Sequence, residues 1–158
     1  MPDQKPPRRV DDERETLGAL LQYQRDSLVR KVSGLDEEAA RRPLVASGTT
    51  LLWLMKHMAR AESLWVLRRF AGRADPLPDE VVHPDDTLAG AIATYRTTWK
   101  QVDSVVAAAP TLDQLCQEVS DEAPVNLRWV LMHLLEETAR HAGHADILRE
   151  LIDGHTGR

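Results

Sequence analysis

The sequence predicts an all-α protein, a four-helix bundle with one long crossing connection, on three observations. Apolar residues recur at spacings of three and four along four segments, as they do on the buried face of an amphipathic helix. Capping residues, glycines and prolines separate those segments. The alternation of apolar and polar residues that is typical of strands is absent from the sequence, and no internal repeat occurs.

The first helix is expected from Asp11 or Asp12 to about Val32. Acidic residues occupy its first turn, where they favour a helix N-terminus, and leucines follow at helical spacing. Gly34 is expected to end this helix, and residues 35–42 can form a short extra turn.

The second helix is expected over residues 50–70. The run Ser47–Thr49 indicates its start and Gly72 indicates its end. Its predicted inward residues are Leu51, Leu54, Met58, Ala61 and Trp65.

Residues 74–84 hold three prolines and are expected to be the crossing connection. Asp85 or Asp86 is expected to cap a third helix that reaches about Ala109. The predicted inward residues of that helix are Leu88, Ile92, Tyr95, Trp99 and Val102.

A short helical piece is expected to start at Thr111, followed by a loop over residues 120–124. The last helix then runs to about Asp153, where Gly154 ends it. Its predicted inward residues are Leu127, Val130, Leu134, Glu137, His141, His144, Leu148 and Leu151.

The composition favours an ordinary globular protein. The chain has 158 residues and a net charge of −5, which argues against nucleic acid and anionic membrane as partners. We expect a loose tail over residues 1–10 and a single domain over 11–158. The one cysteine, Cys116, is expected to be a small buried hydrophobe, and the absence of an apolar leader favours a cytoplasmic location.

The inward face of the last helix is interrupted by three polar side chains, Glu137, His141 and His144. A buried carboxylate and imidazoles are costly to desolvate unless something compensates them, and a divalent cation does so directly. Glu137 and His141 are separated by about 6 Å along the helix axis and share one face. The interruption therefore indicates a metal site on this helix.

A facing helix must complete such a site, and His57 is the candidate, because it lies at the edge of the inward face of the second helix. Two histidines and one carboxylate, with open positions, are expected of a catalytic zinc or non-haem iron centre. Alternative interpretations stay open: His57 as a packing residue, Glu137 paired with an arginine from another helix, and His144 at the solvent edge. The ferritin, zinc-protease, phosphate-loop and nucleophile-elbow motifs do not occur.

A resemblance to the DinB/YfiT-like superfamily rests on two segments. These are SGTTLLWLMKHMARAESLW at Ser47–Trp65 and NLRWVLMHLLEETARHAGHADILRE at Asn126–Glu150. Within the superfamily the sequence resembles an actinobacterial, mycothiol-dependent branch, related to the N-terminal domain of mycothiol-dependent maleylpyruvate isomerase. The resemblance implies a four-helix bundle, often dimeric, that binds a divalent metal, with zinc expected first and nickel or iron as alternatives. Its ligands here would be His57, Glu137 and His141.

The resemblance also implies an enzyme that uses a low-molecular-weight thiol such as mycothiol for S-transfer, detoxification or isomerisation of an electrophile. The partners would then be a small-molecule thiol and an electrophile. His144, where many relatives carry glutamine, is a candidate general base. The alternative is a non-catalytic metal-binding stress-response or small-molecule-binding module.

Overall fold

The computed structural model describes residues 5–8, 12–118 and 123–156, and it confirms an all-α bundle. The expected tail at residues 1–10 falls largely outside the described residues, and residues 5–8 carry neither helix nor strand. The helices are α1 (Glu13–Val32), α2 (Glu37–Arg41), α3 (Leu51–Glu62), α4 (Leu88–Ala108) and α5 (Leu127–Asp153). A π-helical segment, Ser63–Phe70, continues α3.

Side-chain caps fix where the long helices begin. Asp12, Thr50, Thr87 and Asn126 each accept a hydrogen bond from the backbone N–H three residues further on. The expectation of an aspartate cap on the third helix was wrong, because Thr87 takes that position. Asp86 instead accepts hydrogen bonds from the Lys56 ammonium and from the His83 backbone N–H.

Helix α1 packs beside α5, and α3 packs beside α4. The connection between the π-helical segment and α4, residues 71–87, carries neither helix nor strand, as the prolines predict, and it contacts α3 at Arg60 and Lys56. The short helical piece expected at Thr111 was also wrong. That segment forms a turn and then an isolated antiparallel bridge between Leu115 and Asn126, which positions the start of α5.

The inward face of α3 departs from the prediction after Met58. Ala61 and Trp65 are only half-buried, whereas Glu62 and Val66 are fully buried. From Met58 onward the buried positions follow a spacing of four, Glu62, Val66 and Phe70, and not the spacing of three that leads to Ala61; the π-helical segment, with its wider turns, begins only at Ser63. A charged residue therefore enters the core where the helical pattern had predicted alanine.

Glu62 is held in the core by a closed network of charges and hydrogen bonds. Its carboxylate accepts from Arg25 Nε at 2.9 Å, from the second Arg25 nitrogen at 2.5 Å and from the Tyr95 hydroxyl at 2.9 Å. Arg25 also pairs with Asp103 at 2.8 Å. Both partners of the Arg25–Glu62 pair are at most 1% exposed. We call Arg25, Glu62 and Tyr95 the closed cluster.

No helix within the described ranges is both long and apolar enough to cross a lipid bilayer.

Cys116 is half-buried rather than buried, and partial burial raises the pKa of its thiol. A thiol with a raised pKa is less reactive at neutral pH, which fits the packing role that the sequence predicts.

Candidate metal centre

His57 lies on α3 and faces α5. The Thr50 cap sets where α3 begins, and the Trp53 ring, one turn before His57, stacks on the imidazole. The two ring centroids are 4.7 Å apart and the planes differ by 15°. Trp53 is half-buried and also contacts the core, so it both packs the bundle and fixes one face of the His57 ring.

Glu137 and His141 lie one turn apart on α5 and point toward His57. His141 is buried and Glu137 is half-buried. Glu137 Oε1 lies 3.2 Å from Nε2 of His141 and 3.6 Å from Nε2 of His57. One carboxylate oxygen thus lies between the same nitrogen of two imidazoles from facing helices.

These three side chains each offer one ligand atom, and the three atoms lie within 4.8 Å of one another. Zinc binds nitrogen and oxygen ligands at about 2.0–2.2 Å, so ligand atoms around a tetrahedral ion are roughly 3.3 Å apart. The observed separations need only small side-chain adjustments to meet that value. The donor set of two imidazoles and one carboxylate therefore fits a divalent metal in both chemistry and size.

The outward nitrogen of each imidazole has a partner of its own. His57 Nδ1 lies 3.1 Å from Glu80 Oε2 in the crossing connection. His141 Nδ1 lies 3.3 Å from His144 Nδ1. Metal-binding histidines usually use one ring nitrogen for the metal and donate the other N–H to a neighbouring group, and both rings fit that arrangement.

The charge states of Glu137 and His141 also suit a cation. Burial raises the pKa of Glu137, but His141, Arg140 and His57 more than offset this, so its pKa lies below the ordinary value. Burial and the neighbouring His57 lower the pKa of His141. At neutral pH the cluster thus offers an ionised carboxylate and an uncharged buried imidazole, the forms that bind metals.

The structure brings together the three residues predicted as ligands, His57, Glu137 and His141, which we call the open triad. The predicted inward face of α5 was wrong at His144 and Leu151, which are exposed. Thr138 and Ala145 are buried instead, because a straight helix turns 3.6 residues per turn and the inward face drifts along so long an element.

The alternative in which Glu137 pairs with an arginine from another helix differs from what the structure shows, because its arginine partner is Arg140 on the same helix. Arg140 donates to Glu137 Oε2 at 3.1 Å, so that oxygen is occupied while Oε1 faces the histidines. The pairing orients the carboxylate and leaves its other oxygen available to a cation.

Sequence reasoning missed Glu80. It lies in a proline-rich connection, where no helical or strand periodicity indicates which side chains turn inward. An acidic residue close to the end of that connection was the only available signal, and it does not distinguish Glu80 from its neighbours Asp79 and Asp85.

Facing helices of this bundle present two imidazoles and one carboxylate to one point. This arrangement places the protein in the class of helical bundles that can bind a metal ion between their helices. The mycothiol-S-transferase family matches residues 16–154, and the chain belongs to that family, within the DinB/YfiT-like group. The family implies a thiol as a substrate.

Solved structures support the fold. The crystal structure of a conserved protein from Enterococcus faecalis is similar with a TM-score of 0.70 and 16% identity, covering 92% of this chain and 100% of the other. At that identity the likeness concerns the fold alone. No curated protein matches this sequence.

Proposed function

We propose that this protein is a divalent-metal-dependent thiol S-transferase, which joins a mycothiol-type thiol to an electrophile. One observation carries the proposal: Glu137 Oε1 lies between Nε2 of His57 and Nε2 of His141, on facing helices. Membership of the mycothiol-S-transferase family supports the choice of thiol and of reaction type.

His57, Glu137 and His141 would hold the ion. A thiol coordinated to a divalent metal is deprotonated outright, so the bound ion would supply a thiolate nucleophile at neutral pH. Zinc is the proposed metal, and nickel and iron are alternatives that the same donor set accommodates. With three protein ligands, a coordination position is left for the thiol.

The remaining side chains orient the centre and limit its exposure to water. Trp53 covers one face of His57, and Arg140 fixes the Glu137 carboxylate through its other oxygen. In the reaction the thiol would lose its proton and its sulfur would bond to an electrophilic carbon. That carbon would release a leaving group with its electron pair, or, in an addition, its π bond would open and the electron pair would take up a proton. Detoxification or isomerisation of the electrophile would begin with the same bond.

His144 remains a proposed base for the thiol proton. It is exposed, which allows exchange of the proton with solvent, but its Nδ1 faces His141 Nδ1. That contact gives it a second role, which is to accept a hydrogen bond from His141 Nδ1–H and so leave Nε2 of His141 directed at Glu137. Both roles use the one lone pair of a neutral imidazole, so His144 would take the thiol proton only when its contact with His141 is broken. A homodimer, which the family resemblance implies, stays a prediction.

The alternative function is a metal-binding module without catalysis. It would be favoured if a fourth protein side chain closed the coordination sphere, as in structural zinc sites. The position of His144 supports the catalytic proposal, because its near nitrogen faces His141 and not the carboxylate oxygen between the two ligand histidines.

The first test is metal content. Purified wild-type protein without an affinity tag is expected to carry about one divalent ion per chain, and His57→Ala and His141→Ala are each expected to lose most of it. His133→Ala is the matched control, because His133 lies on α5 but stacks on Trp129 and meets Trp65 edge-on. Full metal content in both ligand variants would contradict the proposal.

The second test is activity. The metal-loaded protein is incubated with common electrophiles, with and without mycothiol, and loss of the free thiol is followed. Consumption that requires both metal and thiol is expected. A fully loaded protein that consumes no thiol with any electrophile would favour the non-catalytic module.

A further inference from the structure

The crossing connection places a carboxylate behind one of the candidate ligands. Glu80 Oε2 lies 3.1 Å from Nδ1 of His57, whereas the nitrogen on the other side of the ring, Nε2, faces Glu137. We propose that Glu80 is a positioning residue of the metal centre, which accepts a hydrogen bond from His57 Nδ1–H and thereby directs the Nε2 lone pair at the ion. This inference rests on the metal-dependent function proposed above.

The chemistry of the two groups decides the direction of the hydrogen bond. An ionised carboxylate can only accept, so His57 Nδ1 must carry the proton when it bonds to Glu80. A neutral imidazole carries one proton, and Nε2 is then left with a lone pair. A carboxylate in this position also makes the imidazole a more basic ligand, which strengthens metal binding.

Contacts on either side of Glu80 hold the connection against α3. The Lys56 ammonium donates to the backbone oxygen of Val81, and Arg60 donates to the backbone oxygen of Pro78 at 3.1 Å. Lys56 and Arg60 are one helical turn apart and lie on either side of His57 along α3. These two hydrogen bonds to backbone oxygens hold the connection on α3 and so keep the Glu80 carboxylate beside the His57 ring.

The two ligand histidines differ in what stands behind them. Behind His57 is a carboxylate, whereas behind His141 is another imidazole, His144. A hydrogen bond to an ionised acceptor is about twice as strong as one between neutral groups. The larger contribution to ligand orientation is therefore expected from Glu80.

The experiment compares zinc affinity in the full-length wild-type chain, Glu80→Gln, Glu80→Ala and the control Asp85→Asn. Asp85 is an exposed acid in the same connection, so its replacement removes the same charge without touching His57. Affinity is measured by competition with a chromophoric chelator, and thermal unfolding of the metal-free proteins verifies that each is folded.

Glu80→Ala is expected to weaken zinc binding about 10- to 100-fold. Glu80→Gln should lose less, because its amide oxygen still accepts from Nδ1–H, and Asp85→Asn should match the wild type. Wild-type affinity in folded Glu80→Ala would overturn the inference. So would a loss as large as that of His57→Ala, because Glu80 would then be a ligand.

A second readout uses the metal-free protein. Nitrogen NMR of the His57 imidazole is expected to show the proton on Nδ1 in the wild type and in Glu80→Gln, and a mixture of tautomers in Glu80→Ala. An unchanged tautomer in Glu80→Ala would overturn the positioning role. Absence of zinc binding by the wild-type chain would instead overturn the proposed function, so the two failures are distinguishable.

Discussion

The closed cluster and the open triad both place a carboxylate inside the bundle, but they treat it in opposite ways. Both oxygens of Glu62 accept from charged or hydroxyl donors, at 2.5–2.9 Å, and the arginine that balances the charge is 1% exposed. The inner oxygen of Glu137 faces two imidazoles at 3.2 and 3.6 Å, and the pKa of His141 is lowered.

The difference separates a structural from a functional use of buried charge. In the closed cluster, opposite charges and hydrogen bonds balance one another within the protein. Burial lowers the pKa of Arg25, but Glu62 and Asp103 more than offset this, so its pKa is raised and the guanidinium stays charged. In the open triad, a negative charge and two ring nitrogens converge without an equivalent inner cation. A divalent ion would complete it.

The largest expected effect comes from breaking the closed cluster. Glu62→Ala leaves the Arg25 guanidinium buried, with Asp103 as its remaining carboxylate partner. The free energy of unfolding should fall by about 3–5 kcal/mol, as for other buried ion pairs that lose one member. Urea unfolding followed by circular dichroism measures the change.

The double variant Arg25→Met with Glu62→Leu is the control for this prediction. It removes both charges together and fills the space with apolar groups, so it should recover most of the lost stability. A loss under about 1 kcal/mol in Glu62→Ala would show that the cluster is not the tightly coupled unit described above.

The sequence predicted the open triad because its residues interrupt a regular pattern. Glu137 and His141 fall at positions where the spacing on α5 predicts leucine, and His57 is the one histidine on the facing helix. Side-chain chemistry and helical geometry together were enough to predict that these three residues lie close to one another. Their roles as ligands remain a proposal.

The closed cluster could not be predicted in the same way. Glu62 follows Ala61, which the pattern assigned to the core. Both lie on the side of Met58, at spacings of four and three, and the sequence gives no reason to choose the charged residue as the buried one. Arg25 falls within a helix whose other described charged residues are exposed or half-buried, and the sequence does not mark Arg25 as the one that is fully buried. Charged residues on different helices come into contact only when the helices pack. The residue pattern of a single helix therefore does not reveal which charged residues are buried as a pair.

The next effect in size separates stability from metal binding in the open triad. His141→Leu replaces a buried imidazole, which costs free energy to desolvate, with an apolar side chain, and Glu137 keeps its contacts with Arg140 and His57. In the metal-free state it should therefore be as stable as the wild type to within about 1 kcal/mol, or more stable. This outcome is the reverse of that for Glu62→Ala.

Zinc should reverse the order of the two proteins. At a free zinc concentration of 100 times its dissociation constant, the wild type should gain about 2.7 kcal/mol, while His141→Leu should gain little. Thermal unfolding with a chelator and with zinc measures both states. If metal-free His141→Leu were several kcal/mol less stable than the wild type, His141 would belong to the structural core, as Glu62 does.

The smallest effect is zero at neutral pH and concerns Tyr95, the hydroxyl member of the closed cluster. Burial, and then the neighbouring Glu62 carboxylate, raise the pKa of Tyr95 well above its ordinary value of about 10. Above about pH 10 the unfolded chain releases the phenolic proton and the folded chain keeps it. Stability contributed by the protonated phenol is therefore full below that pH and falls as the pH rises further.

The measurement uses Tyr23→Phe, which leaves Tyr95 as the only tyrosine of the two in the sequence. Tyrosinate absorbance should rise only together with the loss of helical circular dichroism, because the phenol ionises when the bundle unfolds. Tyr95→Phe is the companion variant, in which the same absorbance reports on Tyr23 alone. Ionisation of Tyr95 near pH 10 in a bundle with intact helices would mean that water reaches the cluster. The contrast between a closed and an open polar site would then no longer hold, since both would exchange protons with solvent in the folded protein.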